Sequence, residues 1–215
     1  METILQPTPI STKYLGTVNV NGFDILYDNT NTDIDYDDFI TKDDTPVDML
    51  SGFIQSLLIS SLYDAKHLDK PFLAMSNVGL FYHPDSPPIV PDVMVCLDTQ
   101  TPNGAEIWDA KYAAYFLWAR HKAPDIVVEI VSDLTPDHRG RAIGTHFDLY
   151  AAIGVPYYVV LDYKRQQEIR PDTVIVYELV DGAYVARSDT RMEKADMALT
   201  FQRSHYSGLM FNWLR

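Results

Sequence analysis

Two carboxylates lie inside segments whose other residues are mostly apolar. Glu129 is in the middle of PDIVVEIVS (124–132), and Asp92 follows a proline in PPIVPDVMVCLD (87–98). Because an unpaired carboxylate is costly to bury, such residues are normally paired, hydrogen-bonded or bound to a metal. Acids on two adjacent strands could bind a hard divalent cation, and a main-chain carbonyl beside Glu129, such as that of Ile130, could add a third oxygen ligand. A water on that cation could attack a phosphodiester.

The segments that carry the acids predict neighbouring strands of one sheet. Residues 89–97 and 125–131 have the apolar composition of buried strands. An amphipathic helix is predicted over 139–153, and Gly154 after it is typical of a helix C-cap. The β-rich run 155–161 follows at once. This order predicts an α/β (α+β) fold with a mixed sheet flanked by helices, rather than a repeated βαβ array.

Turn signals predict hairpins toward both ends of the chain. One has an Asn-Gly turn within residues 18–27, and the other has an Asp-Gly turn within residues 174–187. The acidic segment 29–38 predicts a loop. Residues 1–44, with the first hairpin and this loop, are expected to belong to the same domain as residues 45–215.

A helix is predicted over residues 45–65. Thr45 has the residue type of an N-cap, Pro46 suits the first helical position, and Asp48 suits the first turn. Apolar residues then recur at helical spacing. After this helix, one strand is predicted over residues 72–82. A turn connects it to the strand predicted over residues 89–97.

Composition excludes several classes of protein. The chain has 215 residues, of which 47% are hydrophobic, and its apolar runs are too short to span a bilayer. With no basic leader before an apolar core, no secretory signal is predicted. The single cysteine, Cys96, cannot form an internal disulfide or a cysteine cluster, so a reducing, cytoplasmic setting is expected. A formal net charge of −13 disfavours a broad basic surface for nucleic acid, although a local basic patch is compatible with it.

Three long phrases of the sequence resemble the Uma-two family, a restriction-endonuclease-like branch of the PD-(D/E)xK nucleases. They are PFLAMSNVGLFYHPDSPPIVPDVMVCLD (71–98), AYFLWARHKAPDIVVEIVSD (114–133) and YAAIGVPYYVVLD (150–162). The resemblance covers roughly residues 45–180. It implies a restriction-endonuclease-like sheet and Mg²⁺- or Mn²⁺-dependent hydrolysis of DNA. It also assigns Asp92 as the first metal-binding acid and Glu129 as the second.

The sequence departs from the superfamily pattern at its basic residue. The usual lysine two positions after the second acid is Val131 here. In the resembling branch that lysine lies on the next helix, four residues before the tyrosine that aligns with Tyr150, and His146 occupies this place. An acidic residue that the family often has one turn earlier falls on Ala142. Histidine can orient a water or accept its proton, but it lacks the permanent charge of lysine.

Other candidate residues each have an ordinary structural explanation as well. Arg139 and Arg141 could contact phosphates or be solvated helix charges. Lys122 could be a displaced basic partner or a surface lysine. Gln55 corresponds to a polar residue that this family often directs to the site from its first helix. Taken alone, Asp92 could instead cap a turn and His146 could bond a carbonyl.

Three functions remain open from the sequence. A metal-dependent endonuclease is the leading hypothesis, with DNA as partner and a homo-oligomer left open. A catalytically degenerate member of the same fold, binding nucleic acid or protein, is the alternative that His146 favours. A glycosidase could use the pair Asp92 and Glu129, although the sequence shows no aromatic groove near them. Metal binding distinguishes these hypotheses, because a glycosidase pair needs no cation.

Overall fold

The fold is a central six-stranded sheet with helices and smaller sheets on its two faces. The computed structural model describes residues 14, 16–28, 34–39, 48–65, 68, 70–131, 146–162, 174–202 and 210–214. The described strands are β1 Thr17–Val20, β2 Phe23–Leu26, β3 Phe72–Ser76, β4 Leu80–Phe81, β5 Val93–Leu97, β6 Tyr115–Phe116, β7 Ile126–Ile130, β8 Tyr157–Leu161, β9 Val174–Val180, β10 Ala183–Ala186, β11 Arg191–Met192, β12 Met197–Gln202 and β13 Met210–Leu214. The described α-helices are α1 Met49–Tyr63, α2 Leu117–Arg120 and α3 His146–Ile153, and 3₁₀ turns cover Tyr36–Phe39, Gly104–Trp108, Ala110–Tyr112 and Glu193–Ala195.

The central sheet is mixed, which confirms the predicted fold class. Its strand order is β10-β9-β8-β7-β5-β3. Strands β7 and β8 are parallel, and the other neighbours are antiparallel. A parallel pair needs a crossover connection, and α3 lies in the segment that joins β7 to β8. Smaller sheets are formed by β1-β2, by β4-β6 and by β11-β12-β13.

The register of β5 and β7 brings the two acids to one end of the sheet. Val93 lies opposite Val128 in this antiparallel pair. Asp92 immediately precedes Val93 and Glu129 immediately follows Val128, so both acids lie at the same end of the strand pair. Sequence spacing alone could not fix this register.

Alternate residues of each strand face different cores. Val128 packs in a core that includes Ile54 of α1, whereas Val127 packs in a core that includes Tyr150 of α3. Because successive side chains in a strand point to opposite faces, Glu129 lies on the α3 side of the sheet, like Val127. Tyr157 and Tyr158 of β8 likewise pack on opposite faces.

The first hairpin contacts both the sheet region and α3. Its Asn-Gly turn has positive φ at both residues, as a two-residue hairpin turn requires. The Leu26 amide donates to the Tyr82 carbonyl at 2.8 Å. The Tyr27 hydroxyl lies 3.0 Å from the carbonyls of both Ala152 and Ile153 at the end of α3. These contacts join the first hairpin to the segment after β4 and to the end of α3.

Two boundaries differ from the sequence prediction. The N-cap of α1 is Asp48 and not Thr45, because one Asp48 carboxylate oxygen accepts the amides of Leu50 and Ser51, both at 3.1 Å. The strand predicted over residues 72–82 is divided into β3 and β4. Asn77, just after β3, has a left-handed φ of 53°, which ends the strand. No helix in the described part of the chain is long and apolar enough to cross a membrane.

Candidate active site

Asp92 is held by hydrogen bonds to both of its carboxylate oxygens. The Ile130 amide donates to Oδ2 at 2.6 Å, and Nε2 of Gln55 donates to Oδ1 at 2.7 Å. Gln55 reaches this point from α1, on the opposite face of the sheet from α3. The acid therefore joins α1 to the end of β7.

The Ile130 main chain is oriented toward Asp92. Its N–H bonds the Asp92 side chain, whereas the N–H of the next residue, Val131, bonds the Leu161 carbonyl on the β8 side at 3.0 Å. In an extended strand, the N–H and C=O of one residue point to the same side. The Ile130 carbonyl is therefore directed to the edge of β7 on which Asp92 lies.

Glu129 faces α3 and contacts two of its side chains. Its side chain is buried, and Oε1 accepts a hydrogen bond of 2.7 Å from the Tyr150 hydroxyl. Nδ1 of His146 lies 3.6 Å from the same oxygen, slightly beyond a hydrogen bond, and this buried nitrogen has no hydrogen-bond partner among the described residues. His146 and Tyr150 are one helical turn apart, so both can reach Glu129 from one face of α3.

The electrostatics of the site show an unfavourable concentration of negative charge. Burial raises the pKa of Asp92 to about 6, and the charges of Glu129 and Asp48 add to this effect against the opposing hydrogen bonds from Ile130 and Gln55. Burial also raises the pKa of Tyr150 well above its usual value, so Tyr150 is a neutral hydrogen-bond donor at Glu129. Among the described residues, no lysine or arginine forms an ion pair or hydrogen bond with Asp92 or Glu129.

The residue types at this end of β5 and β7 suit a hard divalent cation. Two carboxylates and a main-chain carbonyl all offer the oxygen atoms that such a cation prefers. Within the described part of the chain, no three or more His, Cys, Asp or Glu side chains converge as a metal cluster. This small set matches the way Mg²⁺ binds, through one or two carboxylates with waters completing the octahedron.

The other predicted residues divide into three groups. Gln55 faces the acids, but it is buried at 2% exposure and bonded to Asp92, so it positions that acid and is not open to nucleic acid. Lys122 does not join the acids, because its Nζ lies 2.6 Å from the Leu97 carbonyl and 2.7 Å from Asp125, at the other end of β5. Arg139, Arg141 and Ala142 lie outside the described residues.

Sequence reasoning missed two residues of this site. Tyr150 was used only to locate His146 and was not predicted as a site residue. A tyrosine four residues after His146 must nevertheless lie on the same face of the helix. Asn77, whose amide contacts Gln55, gave no signal at all, because the two residues are 22 positions apart and belong to different elements.

Comparison with known proteins gives a family match and a similarity to a solved structure. The profile of the Uma2 family, described as "Putative restriction endonuclease", matches residues 23–203. A crystal structure of "a putative nuclease belonging to DUF820" from Anabaena variabilis is 18% identical, covering 69% of this chain and 72% of that chain with a TM-score of 0.43. No curated protein matches the chain significantly.

Proposed function

Because the chain belongs to the Uma2 family of putative restriction endonucleases, we propose that it is a metal-dependent endonuclease that hydrolyses DNA phosphodiester bonds at Asp92 and Glu129. The observation that carries this proposal is a pair of acids, Glu129 buried and Asp92 half-buried, with no described lysine or arginine bonded to either. Two like charges in a partly buried site are unfavourable unless a counter-charge is supplied. A divalent cation would supply it.

The described residues suit distinct roles in this reaction. Asp92 and Glu129 would hold Mg²⁺ or Mn²⁺, with the Ile130 carbonyl as a third ligand. When bound, the cation would lower the pKa of a water and stabilise charge on the phosphate. Gln55 keeps Asp92 in place through its hydrogen bond of 2.7 Å, and Tyr150 does the same for Glu129.

His146 is assigned the role of assisting the attacking water. Glu129 presents only acceptor oxygens when ionised, so a hydrogen on the facing Nδ1 is the favourable arrangement. In the neutral ring Nε2 is then the acceptor nitrogen, which can take a proton from water. In this way Glu129 would select the tautomer that makes His146 a base.

A cleavage assay with metal-site variants tests the proposal. Supercoiled, linear double-stranded and single-stranded DNA would be incubated with the protein and Mg²⁺, Mn²⁺ or EDTA. We expect cleavage only with a divalent cation, and its loss in both Asp92→Asn and Glu129→Gln. Asp98→Asn is a matched control, because Asp98 lies at the opposite end of β5 and is exposed. Equal cleavage by Glu129→Gln and the natural protein would rule out this site.

A degenerate, non-cleaving member of the family is the second candidate. It is favoured by the lack of a lysine at the acids in the described residues and by the separation of 3.6 Å between His146 and Glu129. This candidate predicts cation-dependent DNA binding without strand cleavage under every condition of the same assay.

A further inference from the structure

Asn77 and Gln55 form a reciprocal pair of side-chain amides. Nδ2 of Asn77 donates to Oε1 of Gln55 at 2.7 Å, and Nε2 of Gln55 donates to Oδ1 of Asn77 at 3.2 Å. The second hydrogen of Nε2 goes to Asp92. Hydrogen bonds therefore connect the three side chains in a row, from Asn77 at the end of β3 to Asp92.

Burial makes the Asn77 contact necessary for Gln55. Gln55 is only 2% exposed, so its carbonyl oxygen and both N–H groups need protein partners. Asn77 donates to the Gln55 oxygen and accepts one of its N–H groups, and Asp92 accepts the other N–H. Without Asn77, Gln55 would either leave buried polar atoms unpaired or move toward water, and in moving it would lose Asp92.

The backbone of Asn77 explains why this residue is an asparagine. The last pair of β3 with β5 joins Ser76 to Val93, and Asn77 then takes the left-handed φ of 53° that ends the strand. Asparagine tolerates this conformation better than most residues, and it carries the amide that Gln55 requires. Glycine would satisfy the backbone alone.

We propose that Asn77 is a positioning residue of the cation site, which acts through Gln55 to fix the Asp92 carboxylate against the Ile130 amide. This inference rests on the proposed function, because it takes Asp92 to be a cation ligand. Loss of a residue that supports a metal ligand typically weakens metal binding by about 10- to 100-fold.

The test compares the natural protein with Asn77→Gly, which keeps the positive φ and removes only the amide. Asn21→Gly is the matched control, because Asn21 has the same φ of 53° in the first hairpin turn, away from the acids. Calorimetry with Mn²⁺ should show binding weakened about tenfold or more in Asn77→Gly and unchanged in Asn21→Gly. Asn77→Asp retains an acceptor but loses the donor to Gln55. Its Mn²⁺ affinity should lie between those of the natural protein and Asn77→Gly.

A second measurement does not depend on the metal. Amide hydrogen exchange in EDTA should be faster at Ile130 in Asn77→Gly, because the acceptor Asp92 becomes mobile. Exchange at the neighbouring Val131, whose acceptor is the Leu161 carbonyl, should be unchanged. A purely structural role of Asn77 would change both amides together.

The outcomes separate this inference from the proposed function. Unchanged Mn²⁺ affinity with unchanged Ile130 exchange in Asn77→Gly would overturn the inference. If the natural protein binds no Mn²⁺, the proposed function fails, and the Ile130 exchange alone decides whether Asn77 positions Asp92. Should Asn77→Gly not fold, the same two measurements on Asn77→Asp give the decision.

Discussion

At the scale of single residues, Asp92 binds a proton more tightly in the folded chain than in the unfolded chain. Its pKa is raised from 3.8 to about 6, mainly by burial and then by Glu129. Stability from this protonation is fully present below the unfolded pKa and is lost as the pH rises through the folded pKa. In EDTA, the natural protein should therefore lose roughly 1 kcal/mol of unfolding free energy relative to Asp92→Asn between about pH 5 and about pH 8. Denaturant unfolding measures the difference, and a pH-independent difference would contradict it.

Glu129 should control stabilisation by metal. A ligand that binds only the folded state stabilises it by mass action, so Mn²⁺ should raise the melting temperature of the natural protein. Glu129→Gln should abolish this rise and keep the fold, since the Tyr150 hydroxyl can still donate to the amide oxygen. Asp98→Asn should retain the full rise. Thermal unfolding with and without Mn²⁺ makes the comparison, and an equal rise in Glu129→Gln would place the cation elsewhere.

His146 should determine the rate of cleavage and not the binding of metal. His146→Ala should reduce cleavage by about 10²-fold, the usual contribution of a general base. His146→Lys should keep or raise the rate, because a fixed positive charge near the phosphate stabilises the charge that develops in the transition state. Single-turnover cleavage assays measure both variants. If His146→Ala cleaves as fast as the natural protein, this histidine does not assist the attacking water.

At the scale of elements, the two ends of α3 are fixed by different groups. His146 and Tyr150 face Glu129, and at the other end Gly154 has a left-handed φ of 88°. Gly154→Ala should cost about 1–2 kcal/mol, the penalty of that conformation for a residue with a Cβ. Gly52→Ala, inside α1 with nothing within 4 Å of the added Cβ, should instead stabilise by about 0.5–1 kcal/mol. Chemical denaturation of both variants gives the two signs, and equal effects would refute the distinction.

Local sequence signals predicted most elements, and contacts between distant residues account for the differences. Apolar strand runs, the two hairpin turns and Gly154 all depend on neighbouring residues, so their elements were predictable. The division of residues 72–82 occurs at Asn77, where φ is 53° and the side chain pairs with an amide on α1. No local pattern contains that partner. The same holds for Tyr150 and Glu129, which meet only after α3 has packed on the sheet.

At the scale of the whole molecule, the net charge of −13 sets how DNA can bind. An acidic protein repels the phosphate backbone, and the acids of the site add to this repulsion unless a cation neutralises them. DNA binding should therefore be undetectable in EDTA and appear with Ca²⁺, which takes the same oxygen ligands. Fluorescence anisotropy with a short labelled duplex measures both conditions. Equally tight binding in EDTA would show that a basic surface, and not the cation, holds the DNA.

The bond between Trp213 and α1 has a consequence for the growing chain on the ribosome. Nε1 of Trp213 donates to the Leu58 carbonyl at 3.0 Å, across 155 positions of sequence, and β13 packs on the helix that carries Gln55. Translation adds only about 5–20 residues per second, so roughly 8–30 s pass between the synthesis of Leu58 and that of Trp213. A nascent chain can already contain both acids and their strands while the helix that carries Gln55 still lacks its contact with β13. The packing of β13 on α1 is therefore a late step of synthesis, possible only after every strand of the central sheet has been translated.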